Sequence, residues 1–344
     1  MSEHIVVCCR DLPDCTKSSG ELRFWQILRH LHRRAGALSV FAEHDGNRHL
    51  FPDLPVWPMS ALAAQCPAAD LALLEFWFMD EYMPSLRRHG IPLILDSVDV
   101  EFLRRAREQA VHGVDGDYYH LEKAREIAAY RSADQVWAVS ERDAMHIRDL
   151  NPNLVVVPNI FDPLDHVPGF AERQGVCFVG SYNHQPNVDG LRWYREMIYP
   201  YLSDIPHTII GNAAPADLRA MPGFVGGVEA SVEYVCRARV SIAPLRYGAG
   251  LKGKVLEALA CGTPVVTTAI GDEGYGVGGA GAAIVTDDPE TFAAAIRRLV
   301  ADEEAWTRMS RQGRAFAARY APATVGPIID GALDAMLAAR RACA

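Results

Sequence analysis

Short apolar runs alternate with longer amphipathic stretches along the whole chain. In the first half, Ile5–Cys9, Leu38–Ala42, Leu71–Phe76, Leu93–Leu95, Gln135–Val139 and Leu154–Val157 predict strands. Between them, Leu22–Leu31 spaces its apolar residues by three and four, which predicts a helix. Val100–Arg131 is charged and helical in pattern, and Ser140 with Asp143 three residues on reads as a helix cap. The second half repeats the rhythm. Val176–Val179, Thr208–Ile210, Val240–Ala243, Val265–Thr267 and Ile284–Val285 predict strands. Asp287-Asp288-Pro289 opens a helix through Leu299, and two more helices fall near Glu303–Arg319 and Thr324–Arg341. Strands alternating with helices predict an α/β fold with parallel sheets covered on both faces. Two such halves predict two Rossmann-like, doubly wound domains. Their expected bounds are 1–160, a Pro-rich linker over 161–170, a second domain over 171–318, and a C-terminal helix over 319–344 able to cross back to the first domain. Ligands of open parallel sheets bind beyond the carboxyl ends of the strands, so a cleft between the domains is the expected place for chemistry.

Length agrees with this division, since 344 residues exceed one ordinary core and suit two domains of roughly 150. A formal net charge of −9 excludes a general nucleic-acid binder, which needs a basic field. The start, Met1-Ser2-Glu3-His4, lacks the basic opening and long apolar stretch of a signal peptide. The greasiest run, Leu71–Met79, contains Glu75 and is far short of a ~20-residue span. A cytoplasmic protein is expected, with peripheral contact at the inner face of a membrane left open. None of the eight cysteines forms a Cys-x-x-Cys pair, so reduced core cysteines are expected rather than a zinc or redox motif.

The strongest local signal is Ala243–Thr268, APLRYGAGLKGKVLEALACGTPVVTT. A strand ends at Ala243-Pro244, a loop carries Gly248 and Gly250, and a helix is expected to begin near Leu251. Gly262 stops that helix before the next strand. Glycines let backbone N–H groups converge on an anion, and a helix N-terminus adds unpaired donors and partial positive charge. Lys252 and Lys254 there oppose the helix dipole, a conflict that a bound diphosphate removes. Two residues apart on a regular helix, they point to different sides, so one faces the ligand unless Lys252 lies in the loop. Glu257, three beyond Lys254, offers a carboxylate able to accept from two ribose hydroxyls. A plain turn with a Lys254–Glu257 ion pair is the competing reading.

With these residues in order, the chain resembles the group 1 (family 4) glycosyltransferases of bacterial cell-surface polysaccharides, whose fold is called GT-B. The likeness covers nearly the whole chain. Phe178 to Asn187 looks like the opening of the donor domain, Gly248–Val266 like the donor-site helix and next strand, and Gly271–Gly274 and Asp287–Glu290 like later loops. Asp14–Arg23 and Asp96–Arg105 match the same subgroup in the first half. The resemblance implies two facing Rossmann-like domains, retaining transfer from a nucleotide-diphosphate sugar to a glycan, lipid-linked or other hydroxyl acceptor, no metal and no cofactor. It implies a ribose contact for Glu257 and a diphosphate cradle for the Gly250-Leu251-Lys252 backbone. Ser19-Gly20 resembles the first-domain loop that also approaches the diphosphate. Gly180, Ser181, His184 and Asn187 belong to the matched loop of the donor site.

Three positions depart from the family pattern. Ala249 stands where many relatives carry a glutamate, and Val98 where a histidine often lies between two aspartates. The loop after the first donor-domain strand lacks an Arg…Lys pair, and Lys252 or Lys254, with Arg246, is expected to supply that charge. Asp99, supported by Asp96 and Arg104, is the candidate to orient or deprotonate the acceptor hydroxyl. The competing role for both aspartates is to cap the helix beginning near Val100. His184 is either a phosphate or sugar contact or a surface residue. Phe76-Trp77-Phe78 lines either an acceptor pocket or the core. The basic pieces Arg29–Arg34 and Arg87-Arg88-His89 meet either anionic headgroups or solvent. A nucleotide-sugar epimerase on the same fold and a noncatalytic nucleotide-sugar binder are the rival functions.

Overall fold

The computed structural model describes residues 3–66, 68–113 and 117–343; residues 114–116 of the helical stretch predicted over Val100–Arg131 lie outside the described residues. Two units divide the chain: one comprises Met1–Ile160 with Pro322–Ala344, the other Phe161–Ala321.

In the first unit, β1 (His4–Asp11), β2 (Ala37–His44), β3 (Val56–Pro58), β4 (Leu71–Glu75), β5 (Leu93–Asp96), β6 (Gln135–Ala138) and β7 (Leu154–Val156) form one sheet in the order β3-β2-β1-β4-β5-β6-β7. Every neighbouring pair is parallel. Because side chains alternate across a strand, β1 feeds two cores. Ile5, Val7 and Cys9 pack with Leu73, Ile94 and the helix Ser19–Arg34, while Val6 and Cys8 pack with Leu74, Leu95 and Tyr130 on the other face. The chain's last helix, Pro322–Cys343, also closes the first of these cores, through Val325, Ile329, Leu333 and Leu337 at a spacing of four.

The second unit repeats the scheme with β8 (Val176–Val179), β9 (His207–Ile210), β10 (Phe224–Gly226), β11 (Val240–Ala243), β12 (Val265–Thr267) and β13 (Ala283–Val285), in the order β10-β9-β8-β11-β12-β13 and all parallel. Phe178 and Cys177, adjacent in sequence, again belong to opposite cores.

Strand order reverses between β1 and β4 in one sheet and between β8 and β11 in the other. Connections leave these neighbours in opposite directions, which opens a crevice at their carboxyl ends. Two edge strands, β3 and β10, are absent from the sequence reading; each has three residues, and β3 ends in a proline. The expected linker over 161–170 is part of the second unit, where Phe161 and Leu164 pack against its core.

Candidate functional site

The switch point of the second sheet is framed by the loops after β8 and β11. Gly180 follows β8, and a Cβ there would lie 2.8 Å from Asn187 Cγ, so only glycine lets the helix Gln185–Trp193 close over the strand end. Asn187 is buried, and its Nδ2 donates to Ser181 O at 2.7 Å. Its Oδ1 accepts from Lys254 Nζ, so one side chain ties the two loops together. Ser181 is half-buried, and His184 is exposed at the cap position of the helix.

Leu245 and Tyr247, both buried, anchor the loop after β11 on the core. Gly250 turns it at φ +64°, a conformation that disfavours side chains. Arg246, expected to supply positive charge for a ligand, instead grips Asp189, with Nε 2.9 Å from Oδ2 and Nη2 on Oδ1. That carboxylate is buried, so the guanidinium is held by a partner inside the unit. Lys252 is also buried, and its Nζ curls back to donate to Gly250 O at 2.7 Å and Ala249 O at 3.3 Å.

The helix therefore starts at Gly253, two residues later than expected, with Lys252 as its cap residue at φ −82°, ψ 89°. Lys252 belongs to the loop and Lys254 to the first turn. Half-buried Leu251 packs against the core between them. The amides of Gly253 and Lys254 precede any helical carbonyl that could receive them.

Lys254 and Glu257 are half-buried on one side of this helix. Desolvation pushes the Lys254 amine down to about 7, with Glu257 opposing and Lys252 reinforcing the shift. Its Nζ stands 4.5 Å from the centre of the Phe178 ring, which adds a cation–π contact. Burial pushes the Glu257 carboxyl up, against the Ser231 hydroxyl that donates to Oε1 and the nearby lysine. The result is a lysine that can gain a proton and a carboxylate with acceptor capacity to spare, beside unpaired amides.

Residues 173–302 match the family model described as Glycosyl transferases group 1. The matched stretch lies within the second unit, which thus resembles the group 1 glycosyltransferases. No curated protein matches its sequence. Solved structures resemble the chain over nearly its full length. HepE of Anabaena, crystallised with UDP-glucose, is 15% identical, with 96% of this chain and 99% of that one covered and a TM-score of 0.73. Sucrose-phosphate synthase from Thermosynechococcus elongatus is 16% identical, with 98% and 100% covered and a TM-score of 0.70. WaaG, a glycosyltransferase involved in lipopolysaccharide biosynthesis, is 14% identical, with 95% and 98% covered and a TM-score of 0.67. At such identities the likeness is one of fold, the two-domain Rossmann-like fold called GT-B.

The first unit holds the other expected residues. Ser19 and Gly20 form the first turn of the helix Ser19–Arg34, capped by Ser18 Oγ accepting from Glu21 N at 3.1 Å. A Cβ on Gly20 would sit 3.7 Å from Val98 Cγ1, so this turn lies against the loop after β5. Asp96 is fully buried and gripped by Arg23, with Nη1 2.6 Å from Oδ2 and Nη2 2.8 Å from Oδ1. It thus organises the unit from within rather than facing a ligand. Asp99 is half-buried, 3.6 Å from Arg104 Nε, and Arg104 also pairs with Glu101. Neither aspartate caps the helix Glu101–His112. Glu126 does so from another helix, accepting from Glu101 N at 2.9 Å and Phe102 N at 2.8 Å. Burial pushes that carboxyl up to about 7 in spite of these bonds.

Trp77 is buried in the core, while Phe76 and Phe78 are half-buried and meet edge to face at 4.9 Å. Among the basic pieces, Arg34 pairs with Glu3 and Asp330, and Arg87 with Asp134. No described helix is long and apolar enough to cross a membrane. Sequence reasoning missed Arg23, Glu126, Asp189 and Ser231. Each meets its partner across 24 or more residues of chain, and no local pattern marks such a pairing.

Proposed function

We propose that the enzyme transfers a sugar, with retention and without a metal, from a nucleotide-diphosphate donor to a hydroxyl acceptor in surface-glycan assembly. One observation carries the reading: at the switch point of the second sheet, Lys254 and Glu257 share one side of a helix N-terminus and keep accessible edges. In this reading the diphosphate lies on the Gly248–Lys254 turn, against the amides of Gly253 and Lys254. Glu257 takes the ribose hydroxyls, with Ser231 fixing its rotamer. As the C1–O bond lengthens, the amides and the Lys254 ammonium stabilise the departing diphosphate. The acceptor hydroxyl attacks from the leaving-group face, which retains configuration. Retention and independence of metal rest on the family resemblance. HepE's complexes with UDP-glucose and UDP support a uridine nucleotide, and WaaG's role in lipopolysaccharide biosynthesis supports a surface glycan.

Calorimetry with UDP-, GDP- and dTDP-sugars, followed by nucleotide release for each that binds, tests this reading. Binding with slow release names the donor; no binding to any of them returns the glycine-rich turn to plain architecture. Activity should survive EDTA, and a loss restored by magnesium would contradict the metal-free route.

Lys254 adds a proton-linked signature. An amine with a pKa of about 7 is half uncharged at neutral pH, and a bound diphosphate raises that value. Donor binding should therefore take up a proton between pH 7 and 9, and affinity should fall as pH rises through that range. Enthalpies measured in buffers of different ionisation heat should differ accordingly, and Lys254→Met should remove the difference. Equal enthalpies in the wild-type chain would separate Lys254 from the diphosphate.

A further inference from the structure

Two free cysteines of the second unit, Cys236 and Cys261, lie far apart in sequence and meet in space, with their thiols hydrogen-bonded to each other. Cys236 sits in the last turn of the helix Ser231–Arg237 and is half-buried. Cys261 is fully buried and directly follows the helix Gly253–Ala260, its backbone still helical at φ −68°, ψ −5°. The same two helices are tied at an earlier point, where the Ser231 hydroxyl donates to Glu257. From Ser231 to Cys236 is about 7.5 Å of helix, and from Glu257 to Cys261 about 6 Å. The helices therefore run side by side in the same direction, and the thiol pair follows the first contact by little more than one turn.

Arg173, just ahead of β8, meets this pair. Its guanidinium is buried, with Cζ 5.0 Å from the centre of the Trp306 ring. Nε donates to Pro168 O at 2.9 Å, Nη1 to Thr263 Oγ1 at 2.6 Å and Ala238 O at 3.4 Å, and Nη2 to Cys261 O at 2.7 Å. All of these acceptors are neutral. A cation taken out of water without a counter-charge is costly. The titratable groups that act on this guanidinium most strongly are Cys236 and Cys261, ahead of Glu172 and Arg314. A thiolate at Cys236 supplies the negative charge that the hydrogen bonds leave out.

We propose that Cys236 and Cys261 form a peroxide-reactive dithiol, in which Cys236 is the attacking thiol and Cys261 closes an intramolecular disulfide. The Cys236 thiolate attacks one oxygen of hydrogen peroxide, the O–O bond breaks and hydroxide leaves. The sulfur, oxidised by two electrons, becomes a sulfenic acid, and the peroxide is reduced. The hydroxide takes the Cys261 proton and departs as water. The Cys261 sulfur then attacks the Cys236 sulfur, the S–S bond forms and the S–O bond breaks. This second hydroxide takes up the proton that Cys236 had released to solvent. Two thiols and one peroxide thus give one disulfide and two waters, and the two helices become cross-linked.

The surroundings divide the roles. The Cys261 thiol, as hydrogen-bond donor, draws the Cys236 thiol below its ordinary value; Arg173 assists, while burial and Glu257 oppose. Cys261 moves the other way, raised by its bond to Cys236, by burial and by the charges of Cys236 and Glu257, against Arg173. The thiolate is the nucleophile, so the half-buried cysteine with the lowered value attacks and the buried one stays protonated until its partner is oxidised. This assignment does not rest on the transferase reading.

The test treats the full chain with equimolar hydrogen peroxide, blocks the remaining thiols with iodoacetamide and maps the peptides by mass. The expected product is a Cys236–Cys261 cross-link, lighter than the dithiol by two hydrogens and reversed by dithiothreitol. In Cys261→Ala the sulfenic acid should persist at Cys236 and be captured by dimedone, and in Cys236→Ala neither product should form. Without peroxide, iodoacetamide should modify Cys236 about fivefold faster at pH 7 than half-buried Cys15, whose thiol is pushed up by burial and Asp14. Matching melting curves establish that both variants fold. Peroxide that leaves Cys236 and Cys261 as thiols overturns the assignment, as does oxidation of Cys236 to the sulfinic acid with no cross-link. A Cys236 that reacts no faster than Cys15 overturns its role as the attacking thiol.

Discussion

Arg23→Ala should destabilise the first unit by about 3–5 kcal/mol, the usual result of removing one partner from a buried ion pair. The guanidinium is 1% exposed and the Asp96 carboxylate 0%. Without Arg23, that carboxylate stays in the core with no counter-charge, and Val157 O loses two donors. Asp96→Ala should cost a similar amount for the converse reason. The double replacement Arg23→Met with Asp96→Leu should recover much of the loss, because well-packed apolar residues of similar volume often serve as well as a buried pair. Two units need not unfold together, so hydrogen exchange is the proper measurement. Protection should fall in β1, β4 and β5 and persist in β8, β11 and β12. A loss below about 1 kcal/mol would mean that water reaches the pair and stabilises it as a surface contact. The same experiment decides what Asp96 does. If it worked on substrate, Asp96→Asn would slow turnover and leave exchange untouched.

The second large effect belongs to Glu257. Glu257→Ala should weaken binding of the nucleotide sugar by about tenfold to a hundredfold, the range for a hydrogen bond to a charged group. The fold should survive, since the side chain is half-buried and its hydrogen-bond partner among the described residues is the Ser231 hydroxyl. A ribose role makes a finer claim. The 2′,3′-dideoxy nucleotide should bind the wild type as weakly as the intact nucleotide binds the variant, and the variant should not distinguish them. Ser231→Ala should have a smaller effect, because Ser231 only orients the carboxylate. Unchanged affinity in Glu257→Ala would remove the residue from the site.

Much of the fold was legible because buried parallel strands leave apolar runs that few other elements produce. Val176–Val179, Val240–Ala243 and Val265–Thr267 have the same bounds in sequence and structure. Edge strands lack that signature: Phe224–Gly226 buries little and holds a glycine at φ +97°. Site residues divide along the same line between local and distant effects. The glycine-rich turn, Lys254 and Glu257 lie within one short segment, and their spacing alone places both side chains on one side of a helix. Lys252 folding back on its own loop was left open by spacing, and only the backbone angles at the helix start decide it. Arg246 drawn to Asp189, Asp96 locked by Arg23 and Glu126 capping a helix from 25 residues away are tertiary choices. They depend on which elements become neighbours, and sequence spacing does not carry that information.

The last helix packs its Val325, Ile329 and Leu333 into the core begun by β1. Synthesis therefore delivers the two units out of order. Residues 161–321 emerge as one uninterrupted stretch with all six of their strands, and they can settle while the first sheet still lacks a wall. Until the ribosome has passed Leu337, the core that Ile5, Val7 and Leu73 share with the helix Ser19–Arg34 stays partly uncovered. The unit that is translated first is the one completed last, and for that interval its apolar face is open to chaperones or to aggregation.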